Sequence, residues 1–468
     1  MEKGTVHRET LLASLPPAGR SDLAGRIADL LGKVDRKVMV LDDDPTGTQT
    51  VHGIPIVTKW TVDHLTRELL DSSLVSYVLT NSRSIDAEAT IALHQQICRN
   101  LCRASERTGR DFVVISRSDS TLRGHFWEEM STLSAGLGRP VDGWVVCPFF
   151  EEGGRLTIDD VHYVAEGDRL VPAAETPFAE DAAFGYRNSD LRDWVAERSG
   201  GRIPDGSIES LSIQELRSRD SRRLQERIGG LRDGRVLVVN AAQRSDLEAA
   251  VHALLHAESQ GKRFLYRSAA SLVAVRGGIA PKPLLEADRL VGQTGRGLLV
   301  VVGSYVPKTT EQLEYLRRHS EAAFLELDVA RFLGSSARHE IVSTMADRVT
   351  SELMNDGVVV VHTSRQIAHC SSTESLSVGK IVSGALVEVV RSIGCRPRLL
   401  IAKGGITSSD IATEALGVER SLVVGQVLPG VPVWECGQES RYPGMAFVVF
   451  PGNVGARDSL SRLVAGLR

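Results

Sequence analysis

Three consecutive carboxylates, Asp42, Asp43 and Asp44, run into Pro45-Thr46-Gly47. Like charges side by side repel, and a solvated surface turn gains nothing from them. At a strand end they can accept hydrogen bonds from hydroxyls, act as a general base or ligate a metal. The plain alternative is an acidic turn capping the next helix. Further along stand Asn81-Ser82-Arg83-Ser84 and the run from Ser116 to His125, with Arg117, Asp119, Ser120, Thr121 and Arg123. Arginine forks onto a carboxylate through two N–H groups, so these loops can hold an organic anion and bind several of its hydroxyls. Pro148 to Thr157 carries Glu151, Glu152, Gly153, Gly154 and Arg155 and reads as a lid or a further wall. His52, His125 and His162 are isolated, lack metal-binding spacing and read as structural.

A second set of loops suits phosphate. Gly303-Ser304-Tyr305-Val306-Pro307-Lys308 follows an apolar run and precedes a helix, with Thr309 and Gln312 at capping-box spacing. Lys403-Gly404-Gly405-Ile406-Thr407-Ser408-Ser409-Asp410 repeats the pattern, with Thr407 and Asp410 at cap spacing and Gly417 placed to end the helix. Pro451-Gly452-Asn453-Val454-Gly455 follows the last apolar run. Helix N-termini and glycine-exposed amides favour phosphate. One such loop is often only a turn; three together point to a nucleotide. There is no P-loop, since Ser377-Val378-Gly379-Lys380 lacks the first glycine, and no dinucleotide fingerprint.

The elements that must carry these loops are short runs rich in Val, Ile and Leu: Lys37–Leu41, Val75–Leu79, Phe112–Ile115, Trp144–Cys147 and Val236–Val239. The rhythm restarts at Gly297–Val302, Val358–Val361, Leu399–Ala402, Leu422–Val424 and Ala446–Phe450. Such runs read as strands buried on both faces, and helical stretches such as Ala87–Arg103 and Asp246–Ser259 separate them. The fold class expected is α/β, with two domains, each a mostly parallel sheet flanked by helices, and a cleft between them. The boundaries expected are an N-terminal extension over 1–36, an acid-binding domain over 37–266, a linker over 267–296 and a nucleotide-binding domain over 297–468. Glu151 to Arg187 reads as an irregular excursion. Ligands of open α/β sheets bind beyond the carboxyl ends of the strands, where all these loops fall.

Composition agrees. The 468 residues are 42% hydrophobic and 24% charged with a formal net charge of −4, which fits a globular protein and shows no basic excess for nucleic acid. No apolar run reaches the roughly 18 residues of a membrane span, and the polar N-terminus has no signal core, so a cytoplasmic protein is expected. Cys98, Cys102, Cys147, Cys370, Cys395 and Cys436 form no Cys-x-x-Cys pair and read as reduced thiols.

The combined motifs resemble the four-carbon acid sugar kinase family, long known as a domain of unknown function. The similarity rests on Asp43-Asp44-Pro45-Thr46-Gly47, Ser82-Arg83, Asp119 to Gly124 (Asp-Ser-Thr-Leu-Arg-Gly), Gly303-Ser304, Gly404 to Ser408 and Gly452-Asn453. Departures are Arg117 where the family commonly has lysine, Ile406 in place of a glutamate, and Pro451 in place of a serine. The resemblance implies an ATP-dependent kinase with Mg2+, phosphorylating a terminal hydroxyl of threonate, erythronate, a 3-oxo-tetronate or 3-oxo-isoapionate. The roles it implies are Asp44, or else Asp43, as catalytic base, and Arg83 and Arg123 on the substrate carboxylate. Asp119, Ser120 and Thr121 would bind its hydroxyls. Ser304, Gly404, Gly405, Ile406, Thr407, Gly452 and Asn453 would hold the nucleotide. Lys308, Arg117 and Lys403 are candidates to neutralise the transferring phosphoryl. No metal ligand is assigned. The partner expected is a small sugar acid, not nucleic acid or membrane, with a homodimer left open. The rival readings are a nicotinamide-dependent sugar-acid dehydrogenase or isomerase, and a non-catalytic sugar-acid-binding protein.

Overall fold

A computed structural model describes the chain except residues 1–3, 20–22, 219, 291, 293, 365–371 and 468. Cys370 therefore lies outside the described residues, as do the side chains of Ser377 and Val378. The chain divides into two units, one of residues 1–51 and 59–281, the other of residues 52–58 and 282–468.

The first unit contains a seven-stranded parallel sheet. Its spatial order is Ile208–Leu211, Arg235–Val239, Gly143–Cys147, Phe264–Ser268, Phe112–Arg117, Lys37–Asp42, Val75–Leu79. Lys37–Asp42, Val75–Leu79, Phe112–Arg117 and Gly143–Cys147 are buried throughout, which is why they read as unbroken apolar runs. Burying each such Val or Leu side chain contributes about 1.5–3 kcal/mol. The helix Ala87–Thr108 runs past the expected Arg103. Asp86 caps it by accepting from the Ala89 amide at 2.8 Å, and Gly109, at φ +67°, ends it in the left-handed region. Its buried residues, His94, Ile97, Cys98, Leu101, Ala104 and Ser105, recur at the three-to-four spacing of one helix face.

The sequence misses several elements. Phe264–Ser268 is a central strand and Ala270–Arg276 a buried helix, so the expected linker beginning at 267 is occupied by core structure of the first unit. The excursion from 151 is largely an antiparallel sheet of Arg155–Ile158, Val161–Glu166 and Arg169–Pro172, joined by Val6–His7 from the N-terminal extension. Its first hairpin turns through Asp159 and Asp160, at φ +48° and +68°. Two successive positive φ values make the tight turn that suits a twisted hairpin, here with aspartates instead of the usual Asn-Gly. The extension also supplies the helix Leu23–Val34, whose Leu23, Ile27 and Leu30 are buried.

The second unit has a mixed sheet. Five strands are parallel, in the order Ala446–Phe450, Leu399–Lys403, Leu298–Val302, Val358–Thr363, Ala323–Leu327. Val431–Cys436 and Arg420–Leu428 continue it antiparallel. Ile54–Val57, contributed from far upstream, pairs antiparallel with Arg420–Val423. The sequence reading recognised only Leu422–Val424 of this antiparallel part. Its core gathers Val300, Val302, Leu316, Val360, Ile401, Val433, Val448 and Leu460.

Candidate functional site

In the first unit, the chain passes from Lys37–Asp42 to Val75–Leu79 on one side and then to Phe112–Arg117 on the other. At such a reversal the two loops diverge and leave a crevice at the carboxyl ends of the strands. The acidic loop and the 116–125 loop both leave the sheet there.

Asp43 is buried and saturated. Arg83 Nε donates to its Oδ2 at 3.1 Å and Arg83 Nη2 to its Oδ1 at 2.6 Å. Ser118 Oγ adds a bond to Oδ2 at 2.6 Å. Asp44 differs. Its Oδ1 accepts from the Thr46 amide at 2.8 Å, capping the single turn Pro45–Thr48. Its Oδ2 has Arg83 Nη1 3.9 Å away, too far for a hydrogen bond. The same Nη1 is 3.9 Å from Asp119 Oδ1. The expected capping turn and the expected carboxylate cluster are thus one structure.

Asp119 accepts from Arg123 Nε at 2.6 Å and from the Thr121 hydroxyl. Burial alone would raise its carboxyl, but Arg123 and Arg83 outweigh that and hold it well below the usual range. Ser120 is buried, and its carbonyl takes a hydrogen bond from His162 Nε2 at 2.8 Å. Burial lowers His162 to about 4, so the ring is neutral and Nε2 carries the proton. His162 therefore braces this loop, as His125 does through its 2.9 Å contact with the Ile85 carbonyl. Gly124, at φ +115°, is needed: a Cβ there would lie 2.7 Å from Ser118 Oγ.

Sequence reasoning missed the layer beneath. Arg267 Nη2 donates to Ser118 Oγ at 2.7 Å, and its Nη1 to Ser116 Oγ at 2.8 Å and Glu129 Oε2 at 2.5 Å. Ser82 Oγ donates to Glu129 Oε1 at 2.8 Å. Arg267 sits on the strand taken for linker and Glu129 on a helix, so no local spacing reveals the pair. Asp42 is also beneath. Arg117 Nη1 donates to its Oδ1 at 3.1 Å, while Oδ2 is buried without a partner. Burial pushes Asp42 up to about 8 against the pull of Arg117, with Asp43 and Asp44 adding to the rise. Gly47 packs on this carboxyl so closely that a Cβ would lie 2.1 Å from it. Arg117 is thereby spent on Asp42. A small open depression lies among Ser118, Asp119, Arg123, Pro148, Trp194 and Arg267. Another lies among Arg36, Phe112 and Phe264, at the amino ends of the strands and away from this chemistry.

In the second unit the strand order reverses between Leu298–Val302 and Leu399–Lys403, and the three phosphate-type loops meet there. A Cβ on Gly303 would lie 2.2 Å from Thr407 Oγ1, one on Gly404 3.0 Å from Ser304 Cβ, and one on Gly452 2.7 Å from Ser304 Oγ. The expected capping boxes are absent. Val306 precedes the helix Pro307–His319 without a side-chain cap, and Gly404 does the same for Gly405–Asp410. Thr309 Oγ1 instead donates to the Gly452 carbonyl at 2.8 Å, and Gln312 Nε2 to those of Val454 and Ala456 at 3.0 and 2.8 Å. The helix is thus tied to the 451–456 loop. Asp410 accepts from Ser383. Gly405 begins its helix, Ile406 is 55% exposed, and Asn453 is exposed on its loop. Lys403 is buried, its Nζ 3.0 Å from the Pro451 carbonyl and 3.9 Å from the Phe450 ring centre. Burial, helped by Lys308, lowers it to about 7. Lys308 itself is exposed.

A model of a sugar-binding N-terminal domain matches residues 38–276, and one of a nucleotide-binding C-terminal domain matches residues 299–460. The chain belongs to the four-carbon acid sugar kinase family. By that membership it is an enzyme of the phosphotransferase class. The kinase family also supplies its relatives. A D-threonate kinase of Salmonella typhimurium is 25% identical over 447 residues, covering 91% of this chain and 96% of that protein. A D-erythronate kinase of Heliobacterium modesticaldum is 23% identical over 352 residues, covering 74% and 75%. Two solved structures share the fold. One is a Salmonella typhimurium protein provisionally labelled a tRNA synthase, with a TM-score of 0.66 at 17% identity, covering 92% of this chain and 98% of that one. The other is a Haemophilus influenzae protein, with a TM-score of 0.60 at 16% identity, covering 92% and 100%. The family's sugar-binding domain contains the Asp42–Arg123 cluster, and its nucleotide-binding domain contains the three glycine loops.

Among the described residues no group of three or more His, Cys, Asp or Glu side chains suits a metal ion, and no helix is long and apolar enough to cross a membrane.

Proposed function

We propose that this enzyme transfers the terminal phosphoryl group of ATP to a terminal hydroxyl of a four-carbon sugar acid. The acid is of the threonate, erythronate or 3-oxo-tetronate type, or the related 3-oxo-isoapionate. The observation that carries the reading is the division of labour between two adjacent aspartates. Asp43 has its acceptor capacity filled by Arg83 and Ser118 and aims the guanidinium. Asp44 keeps one carboxylate oxygen without a close donor, next to that guanidinium. A base must reach the proton it takes, so Asp44 is the residue that orients and deprotonates the attacking hydroxyl.

The remaining roles follow. Arg83 and Arg123 bind the acid through the N–H groups their aspartates leave over, and Asp119, Ser120 and Thr121 bind its hydroxyls. Ser304, Gly404 to Thr407, Gly452 and Asn453 surround the nucleotide phosphates with hydroxyls and main-chain amides. Phosphoryl transfer needs mainly positioning and charge stabilisation. Of the three cations read from the sequence, Arg117 is paired with Asp42 and Lys403 is buried against Phe450, which leaves Lys308 to meet the transferring phosphoryl. Magnesium would accompany ATP as its counter-ion and would supply charge neutralisation at the phosphates. Two relatives named for D-erythronate and D-threonate support the substrate class.

Coupled ATP-turnover assays over threonate, erythronate, 3-oxo-tetronates and 3-oxo-isoapionate test the proposal. Turnover with at least one acid is expected, and Asp44→Ala should lower kcat on the order of 100-fold or more. Inactivity towards every acid would defeat it.

A further inference from the structure

We propose that Arg155 receives the carboxylate group of the substrate, an inference that rests on reading the first unit as the acid-binding one.

The guanidinium groups around the crevice differ in what neutralises them. Arg83 is forked onto Asp43. Arg117 donates to Asp42 and lies 3.8 Å from the Asp43 carboxylate, and Arg267 is paired with Glu129. Arg123 holds Asp119 and lies 3.4 Å from Asp181. Of these five, Arg155 alone has no carboxylate partner among the described residues; Arg198, beside the same loop, has none either but gives its two Nη groups to the Gly185 and Gly124 carbonyls. The one side-chain hydrogen bond of Arg155 runs from Nη1 to the Gly153 carbonyl, and its Nε is buried without an acceptor. A partly buried cation with an empty donor is costly, and an incoming anion would offset that cost.

The position fits. Arg123 and Arg155 share the ring of Phe178, their Cζ atoms 5.1 and 5.9 Å from its centre. Two like charges near one aromatic ring repel each other, and a carboxylate reaching both would relieve that repulsion. Burial lowers the Arg155 guanidinium from its ordinary value, with Asp119 opposing and Arg123 adding to the fall. The support is rigid: the Arg155 amide donates to the Phe150 carbonyl at 2.9 Å, the Arg155 carbonyl accepts from the Phe150 amide at 3.0 Å, and the residue opens a strand paired to Val164. Substrate-holding groups on a fixed strand keep their geometry better than groups on a free loop. Arg83, nearer Asp44, is then freed to meet the hydroxyl end. The acid would lie with its carboxylate towards Phe178 and its terminal hydroxyl towards Asp44.

Calorimetric titration of the full chain with D-erythronate and D-threonate tests this, with nucleotide titration and thermal unfolding as controls. Arg155→Gln should weaken whichever acid the wild type binds by about 10-fold to 100-fold, the range for a hydrogen bond to a charged group. Nucleotide affinity and melting temperature should stay near wild type, and Arg155→Lys should recover part of the loss. Unchanged acid affinity in folded Arg155→Gln would overturn the inference and leave the kinase reading standing. So would parallel losses of acid affinity, nucleotide affinity and melting temperature in both variants. If the wild type binds neither acid, the same titration is made with 3-oxo-tetronates and 3-oxo-isoapionate; binding of none of the four defeats the underlying reading and the inference with it.

Discussion

Adjacent residues of one type take different work here because of what each side chain meets. Asp42 faces inward beneath the loop, Asp43 faces Arg83 and Ser118, and Asp44 caps the turn. Replacing Asp43 by Ala should release Arg83 and raise the KM for the acid as well as lower kcat, whereas Asp44→Ala should act mainly on kcat. Steady-state kinetics separates the two. Asp42 gives a prediction on stability. Its folded value is raised from 3.8 to about 8, so between those values the folded state keeps a proton that the unfolded state releases. Its contribution to stability is therefore full below about pH 4 and is lost as pH rises towards 8. Asp42→Asn keeps an oxygen for Arg117 and cannot ionise. Its melting temperature relative to wild type should climb between pH 5 and pH 8; a constant difference would count against the assignment.

At the scale of elements, loops after parallel strands are short and must be held by something other than their own hydrogen bonds. In the second unit, Thr309 and Gln312 of the helix Pro307–His319 hold the 451–456 loop. Thr309→Ala should cost about 1 kcal/mol or more of stability by orphaning a buried carbonyl, and should raise the KM for nucleotide. Unfolding in urea and nucleotide titration would check both. Gly404, at φ +118° with Ser304 Cβ 3.0 Å from where its own Cβ would sit, should tolerate Ala poorly, at about 1–3 kcal/mol. In the first unit the hairpin through Asp159 and Asp160 carries Arg155, so the element that looked irregular in the sequence holds a side chain of the site.

On the scale of the molecule, the chain does not divide at one point. Residues 52–58 leave the first unit just after the acidic loop and add a strand to the sheet of the second. A fragment of residues 282–468 would leave Arg420–Leu428 as an unpaired edge, and exposed edges recruit other chains. The fragment should aggregate on size-exclusion chromatography, and fusing residues 52–58 to it should restore a single species. A well-behaved monomer without that strand would contradict this. Binding of ATP, and not of NAD, should raise the melting temperature of the full chain by mass action.

The sequence by itself determined the α/β class, ten of the strand positions and the loops on which the candidate residues stand. Each of those signals is local: a strand buried on both faces is written as an apolar run, and a loop beyond it is written in glycine, hydroxyl and charge. What needed the tertiary structure was pairing. Arg267 with Glu129, Ser118 with Asp43, and Thr309 with Gly452 join residues far apart in the chain, and no spacing encodes them. The same holds for Phe264–Ser268 and Ile54–Val57, whose apolar runs are broken by Arg267 and Pro55 and which are fixed by the neighbours they pair with. Which arginine carries an unmatched charge depends on every carboxylate within reach, and reach is a property of the folded chain alone.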